Sequence, residues 1–353
     1  MPSFTPNITS CIYSYCCFCM LVYKCYNWII EKRGDVVERM EMLKKVAEKA
    51  LAEYDIKVNE LEFLAEETNV HFKIRTSDDE KFALKIFQEE SSDINDNRAE
   101  VFFLSHLKDI ETPYVLMNKA GEGVTIVRSE LTEKPKRVTV YSWMEGEDID
   151  GKETPEVFQE LGRLTATLHS KTAAIKMPED INPKRWDKVF YYPDEEAVYH
   201  EEHYQDLLAE DTVEIMDTII PILNERLSDL YNGQEPQLIH ADLNPWNVKI
   251  HKDGLRVLDF EEAMYGFPVH DLAITFFYYR NDKNFNFDEV KAAVIKGYNE
   301  IYPEMTFDDD VLEMLMIARR VNFLNYCLYI DDADKEYVTR CTEIIKEYLA
   351  NLK

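Results

Sequence analysis

His240, Asp242, Asn244, Asn247 and Asp259 crowd into one stretch, LIHADLNPWNVKIHKDGLRVLDFEEA, running from residue 238 to residue 263. Buried strands seldom carry so many hydrogen-bonding groups at their ends. The stretch is therefore either a decorated turn or the holder of an ion and a reacting group. Phosphoryl transfer from a nucleotide uses such a set. It needs a base or orienter beside the attacking hydroxyl, oxygen ligands for Mg2+, and a cation on the other phosphates. Asp242 follows directly on an apolar run and can face a cleft. Asn247, five residues on, can return to that cleft with an amide oxygen for a metal. VKIHKDGLRVLDF reads as a hairpin turning at Asp253-Gly254, which brings Asp259 back beside Asn247. The three groups can thus converge although Asp242 and Asp259 are seventeen residues apart.

The elements that must position them are legible from periodicity. MEMLKKVAEKALAEYDI, from Met40, places Leu43, Val46, Ala50, Leu51 and Tyr54 at helical spacing. Three strands are expected next, in LEFLAEET, VHFKIRT and EKFALKIF, with turns at Asn69 and at Ser77-Asp78-Asp79. In the third, Phe82, Leu84 and Ile86 share one face and Lys85 points to the other. NRAEVFFLSHL reads as a helix, and YVLMNKA, GVTIVRSE and RVTVYSWME as further strands. At YSWMEGEDIDG the pattern stops, and this polar, acidic run reads as a hinge. Beyond it the text is mostly helical. Thr154 is a cap, Pro155 suits the first helical position, and Val157, Leu161, Leu164 and Leu168 form a stripe. Another long helix covers roughly Asp211 to Leu230.

The spacing His240-x-Asp242-x4-Asn247, followed by Leu258-Asp259-Phe260, resembles the catalytic loop and metal-binding segment of the protein-kinase-like superfamily. It is more closely similar to the aminoglycoside phosphotransferase, choline kinase and homoserine kinase group. LGRLTATLHS, with Leu168-His169, and GFPVHDLA are similar to two further segments of that group. The resemblance covers about residues 55 to 340. It implies an α+β fold of two lobes: a small antiparallel-sheet N-lobe over residues 37–141, a hinge over 142–151, and a helical C-lobe over 152–353 with the catalytic loop and acceptor pocket. It also implies ATP and Mg2+ as cofactors and a small-molecule hydroxyl as acceptor.

Carried over residue by residue, the resemblance implies that Asp242 orients or deprotonates the acceptor hydroxyl, and that Asn247 and Asp259 bind Mg2+. Lys85 would contact the α- and β-phosphates, with Glu100 as its helix partner. The backbone of Tyr141, Ser142, Trp143 and Met144 would meet the adenine edge. His240 would brace the loop, and Asp271 would support it. Read alone, His169 is a packing histidine, and Glu261 and Glu262 are solvated acids, although Glu261 can add to the metal or substrate site. The chain departs from the pattern in three places. No glycine-rich loop precedes Lys85, so phosphate contacts there fall to Thr68, Asn69 or backbone N–H groups. Asn244 stands where eukaryotic-type protein kinases carry a lysine, which favours the small-molecule branch. Asp259 is followed by Phe260-Glu261, and no activation loop of the usual length fits before Asp271.

The bulk numbers set the frame. At 353 residues, with 46% hydrophobic and 31% charged residues, the chain is long enough for two packed cores. A net charge of −28 repels phosphate backbones and anionic lipid, so nucleic acid and membrane surfaces are poor partners. The same field attracts cations, including an amino-sugar or amino alcohol acceptor, or else simply solvates the surface. Five of the seven cysteines lie between residues 11 and 25, without histidines to make a zinc site. The main body reads as reduced and cytoplasmic. Residues 1–36 do not conform to the rest. A start assigned too far upstream, a membrane anchor and a packed extra element are the three readings. Two functional alternatives remain: a bacterial stress-type Ser/Thr protein kinase of the same fold, and an inactive nucleotide-binding module. A chain beginning at Val37 is expected to be soluble and as active as the full sequence, because the helix from Met40 can cover the small lobe. Expression and a kinase assay check this; an insoluble or inactive product would assign residues 1–36 to the fold or its anchorage.

Overall fold

Period-two patterning between residues 58 and 87 becomes three antiparallel strands in the computed structural model, which describes residues 33–352 apart from 67, 89–91, 109, 130, 131, 133, 193, 194, 234 and 304. The readings of residues 1–32 lie outside the described residues. The strands are β1 (Val58–Glu66), β2 (Val70–Thr76) and β3 (Lys81–Phe87). They form one antiparallel sheet with β4 (Val115–Leu116), β5 (Thr125–Val127) and β6 (Lys136–Ser142), in the order β1-β2-β3-β6-β4 with β5 also on β6. Helix α1 (Arg33–Leu51), which starts ahead of Met40, lays Leu43, Val46, Ala47 and Ala50 over Phe72, Leu84 and Val138. Helix α2 (Ile94–Ser105) enters through a capping box at Asp93 and Asp96. YVLMNKA yields only two strand residues. The reason is Asn118, whose side chain accepts the N–H groups of Ala120 and Glu122 and closes a turn at Gly121, φ +80°.

The acidic hinge is not irregular throughout. It contains β7 (Glu147–Asp148), paired with β10 (Val248–His251), and Lys249 meets Asp148 at 2.6 Å. β10 turns into β11 (Gly254–Val257) at Lys252-Asp253, one residue earlier than the sequence suggests, and Gly254 (φ +126°) faces His251 as the first residue of the returning strand. β9 (Gln237–Ile239) and β8 (Lys184–Arg185) flank β12 (Met264–Gly266). Helices α3 (Pro155–Thr172), α4 (Thr212–Gly233), α5 (Pro268–Tyr279), α6 (Phe287–Tyr298), α7 (Asp309–Tyr329) and α8 (Lys335–Asn351) make the rest. Their core gathers Leu223, Leu272, Phe276, Leu315, Val321 and Ile345. Among the described residues no helix is long and apolar enough to cross a membrane.

Two packing features bear on the site. One apolar cluster draws on both regions: Phe103 and Leu104 of α2 and Tyr141 of β6 pack with Leu238, Leu243, Val257 and Phe260. The other is the crossing of α3 and α6, where Gly162 lies against the Val294 carbonyl and Gly297 against the Gln159 carbonyl. A Cβ at either glycine would enter those backbone atoms. Seven residues beyond Gly162, on the same face of α3, is His169; next to Gly297 is Tyr298, which hydrogen-bonds it at 2.9 Å. Gly297→Ala is therefore expected to force the helices apart and to lower stability by about 1–3 kcal/mol, the usual cost of overpacking. Urea denaturation checks it, and an unchanged midpoint would show that the crossing has slack.

Candidate active site

Asp271, in the first turn of α5, is fully buried and collects three donors. Its carboxylate accepts the N–H of His240 at 3.0 Å, the N–H of Ala241 at 2.6 Å, and the Nε2 proton of His169 at 2.9 Å. Burial pushes this carboxyl up, but the His169 bond and the other donors outweigh it and leave it below the usual carboxylate range. The geometry it fixes is strained. Ala241 sits at φ +63°, a region that residues bearing a Cβ seldom occupy. The His240 ring braces the same loop. Its Nδ1 accepts the Asp242 N–H at 3.2 Å, so the proton is on Nε2, which donates to the Leu258 carbonyl at 2.8 Å.

The loop then closes on itself. Asn244 Oδ1 accepts the N–H groups of Trp246 and Asn247, and its amide donates to Asp242 Oδ2 at 2.9 Å. The Asn247 amide nitrogen donates to the Asp242 carbonyl at 2.9 Å and to Oδ2 at 2.8 Å. The Asn247 Oδ1 therefore points away and takes no hydrogen bond among the described residues. The backbone joins loop and hairpin directly, Leu258 N–H donating to the Asn247 carbonyl at 2.8 Å. This places Asp259, itself at φ +52°, beside the loop. Asp242 and Asp259 line one cavity of about 120 Å3, with Thr68, Asn69, His71, Glu261 and Glu262.

Lys85 comes to the same place from β3. Its ammonium is 2.8 Å from Asp259, 3.3 Å from Glu261 and 3.7 Å from Glu100. Three carboxylates thus surround one buried cation. Burial opposes the charged form of Asp259, yet Lys85 holds that carboxyl well below its ordinary value. Glu100, at 2% exposure, is pushed up to about 7 by burial, with Lys85 pulling the other way. Glu100 Oε2 and Glu261 Oε1 are buried with no hydrogen-bond partner among the described residues. Asn69, one of the groups expected to clamp phosphates, has its side chain engaged inside: Nδ2 donates to Glu261 and Oδ1 accepts the Gln88 N–H. Thr68 stays at the cavity wall.

The adenine-edge segment divides. Ser142 N–H donates to the Tyr114 carbonyl and Trp143 N–H to the Lys81 carbonyl. The Tyr141 side chain is buried against the Lys85 ammonium, 5.6 Å from the ring centre. Met144 alone of the four lies past the sheet with its N–H unengaged among the described residues.

Several residues were missed or misread in the sequence. Glu261 and Glu262 are not surface acids. Glu261 is buried, and Glu262 accepts both Tyr191 and Tyr192 hydroxyls and the Lys184 ammonium, the last at 3.3 Å. Arg319, on α7, places Nη2 3.1 Å from Asp242 Oδ1. The only sequence signal for it was a pair of arginines, Arg319-Arg320, inside an otherwise apolar helical run.

The family model for the phosphotransferase enzyme family matches residues 60–307, which include this whole site except Arg319. The chain belongs to the phosphotransferase enzyme family. It is a kinase-type enzyme with an alcohol group as acceptor. Among relatives of this family, it is similar to an amicoumacin kinase of Bacillus subtilis (strain 168), 25% identical over 274 residues, which are 73% of this chain and 78% of the relative. In fold it is similar to an amicoumacin kinase solved in complex with AMP-PNP, Ca2+ and Ami, with TM-score 0.68 and 16% identity over 86% of this chain and 92% of the other. It is also similar to a microcompartment-associated aminopropanol kinase, with TM-score 0.65 and 18% identity over 86% and 94%. A choline kinase of Streptococcus pneumoniae gives TM-score 0.56 and 17% identity over 88% and 100%.

Within this phosphotransferase, Asp271→Asn would turn an amide N–H2 or a weaker acceptor toward three donors. Leaving buried donors poorly paired is expected to cost on the order of 3 kcal/mol and to free the strained Ala241 turn. Chemical denaturation and turnover together check it; full stability with full turnover would remove Asp271 from the loop's support.

Proposed function

We propose that this phosphotransferase moves the γ-phosphate of ATP to a hydroxyl of a small, positively charged molecule, an amino alcohol or amino-sugar, with Mg2+. The observation that carries the reading is the single cavity shared by Asp242 and Asp259, with Lys85 bonded to Asp259 at its wall. In this reading the chain has two lobes. Residues 37–141 hold the nucleotide, 142–151 are the hinge, and 152–353 hold the acceptor.

The donor set fits a hard divalent cation. Among the described residues no three His, Cys, Asp or Glu side chains form a metal cage. Mg2+ asks for none: it is held by one or two protein oxygens together with substrate phosphates and water. Asn247 Oδ1 and the Asp259 carboxylate, two fifths of whose surface is open to solvent, are such oxygens, and the unpartnered Glu261 Oε1 is a third. Bound there, the metal neutralises charge on the phosphates. The protein's residues do the remainder. Lys85, released from its carboxylates, would meet the phosphates; Met144 N–H would meet the adenine edge. Asp242, held at Oδ2 by two amides, would turn Oδ1 to the acceptor hydroxyl and receive its proton as that oxygen bonds the γ-phosphorus and the bond from phosphorus to the bridging oxygen breaks, releasing ADP. The aminopropanol and choline kinases among the similar proteins are, in name, kinases of amino alcohols, which supports a cationic acceptor. So does Glu262, which lines the cavity with Asp242. Glu196, Glu201 and Glu202 are exposed outside it.

The test is a phosphorylation screen with MgATP over amino alcohols, amino-sugars, neutral sugars, homoserine and a generic protein substrate. kcat/KM for the true acceptor is expected to fall as NaCl rises, the Debye length being about 8 Å at physiological strength. A neutral acceptor indifferent to salt would overturn the cationic part, and phosphorylation of the protein alone would overturn the small-molecule part. Asp242→Asn is expected to keep MgATP binding and to lose on the order of 10²–10⁴ in kcat. Near-normal kcat would remove Asp242 from its role.

A further inference from the structure

The loop from His240 to Asn247 contains no lysine or arginine. Asp242 nevertheless has a cation, brought from 77 residues away. Arg319 lies in the middle of α7, its side chain 11% exposed, with Nη2 3.1 Å from Asp242 Oδ1. The two oxygens of Asp242 are therefore held differently. Oδ2 takes two amide N–H groups from its own loop, and among the described residues Oδ1 takes only Arg319. A carboxylate oxygen has two lone-pair sites, so Oδ1 keeps one for a substrate hydroxyl. Without Arg319 the carboxylate could turn about the bond to its Cβ, since the amides fix one oxygen only. Arg319 is itself held: the ring of Phe323, one turn on, is 5.6 Å from its guanidinium carbon, and its Nε is buried without a partner among the described residues. Arg319 also bonds to Tyr278, and its charge reaches Glu262 and Glu195 as well as Asp242.

We propose that Arg319 is the positioning residue of the catalytic carboxylate: α7 supplies, from outside the loop, the cation that sets the Asp242 rotamer and leaves one lone pair of Oδ1 aimed at the acceptor hydroxyl. The inference rests on the reading of Asp242 given above. It makes α7 part of the transfer machinery although that helix lies beyond residue 307, where the family match ends.

The test uses the full chain, MgATP, and both the best acceptor from the screen and water as acceptor in ATP hydrolysis. Arg319→Met keeps length and removes charge. It is expected to retain the thermal shift produced by MgADP, to hold KM for ATP within about twofold, and to lose on the order of 10² in kcat, the scale of a misplaced catalytic group. Arg319→Lys is expected to recover at least tenfold of that loss, and added guanidinium to rescue Arg319→Ala. In an Asp242→Asn background Arg319→Met should cost less than twofold, because the group it positions is gone. Wild-type kcat in Arg319→Met, with Asp242→Asn inactive, overturns the inference and leaves the function standing. An equal loss in both backgrounds overturns it too, since Arg319 would then act independently of Asp242. Wild-type kcat in Asp242→Asn overturns the functional reading itself. Should Arg319→Met fail to fold, Arg319→Lys and the guanidinium arm decide: no recovery in either counts against the proposal.

Discussion

One carboxylate carries the geometry of the active region. Asp271 is buried and pulled below its ordinary pKa range by what it binds, and two of its three bonds go to consecutive backbone N–H groups, His240 and Ala241. Two such bonds on one carboxylate fix the direction of the chain as it leaves β9. They hold Ala241 in a left-handed conformation that the residue would otherwise avoid. Everything downstream inherits that direction: the His240 ring onto the Leu258 carbonyl, the Asn244 and Asn247 amides onto Asp242, and the return of Asp259 to the same cavity. Asp271 is in turn anchored by His169, and His169 by the close crossing of α3 and α6 at Gly162 and Gly297. A packing relation between two helices therefore reaches the Asp242 loop through three hydrogen-bonded links.

The second constraint is electrostatic. Lys85 faces Glu100, Asp259 and Glu261 within 4 Å, and two buried carboxylate oxygens there have no partner among the described residues. Such a cluster carries more negative charge than its one cation can balance. Burial above all, with Asp259 and Glu261 adding to it against the pull of Lys85, pushes Glu100 up to about 7. In the proposed reading a divalent cation would relieve the excess and leave Lys85 free to meet phosphate. The same logic extends outward. Glu262, with Lys184 and two tyrosines, is satisfied, while Glu195 near it holds its proton to about pH 7.

Local spacing determined a good deal by itself. A strand period of two set β2 at Val70–Thr76, and Thr154 with Pro155 set the start of α3. The spacing of Asp242, Asn247 and Asp259 across a hairpin was enough to bring them together, because a two-strand return has only one short path. These are relations between residues close in sequence, where backbone geometry leaves few alternatives. What the tertiary structure decided is of another kind. The Lys85 and Asn69 contacts that bury Glu261, the Lys184 and tyrosine contacts of Glu262, the extra strand β7 inside the acidic hinge, and the pairing of Arg319 with Asp242 all join segments between about 70 and 190 residues apart. Local pattern makes Glu262 a surface acid and Arg319 a helix residue like any other. Charge on a side chain says nothing about its solvent until the partner that removes the water is in place, and that partner is chosen by packing, not by spacing.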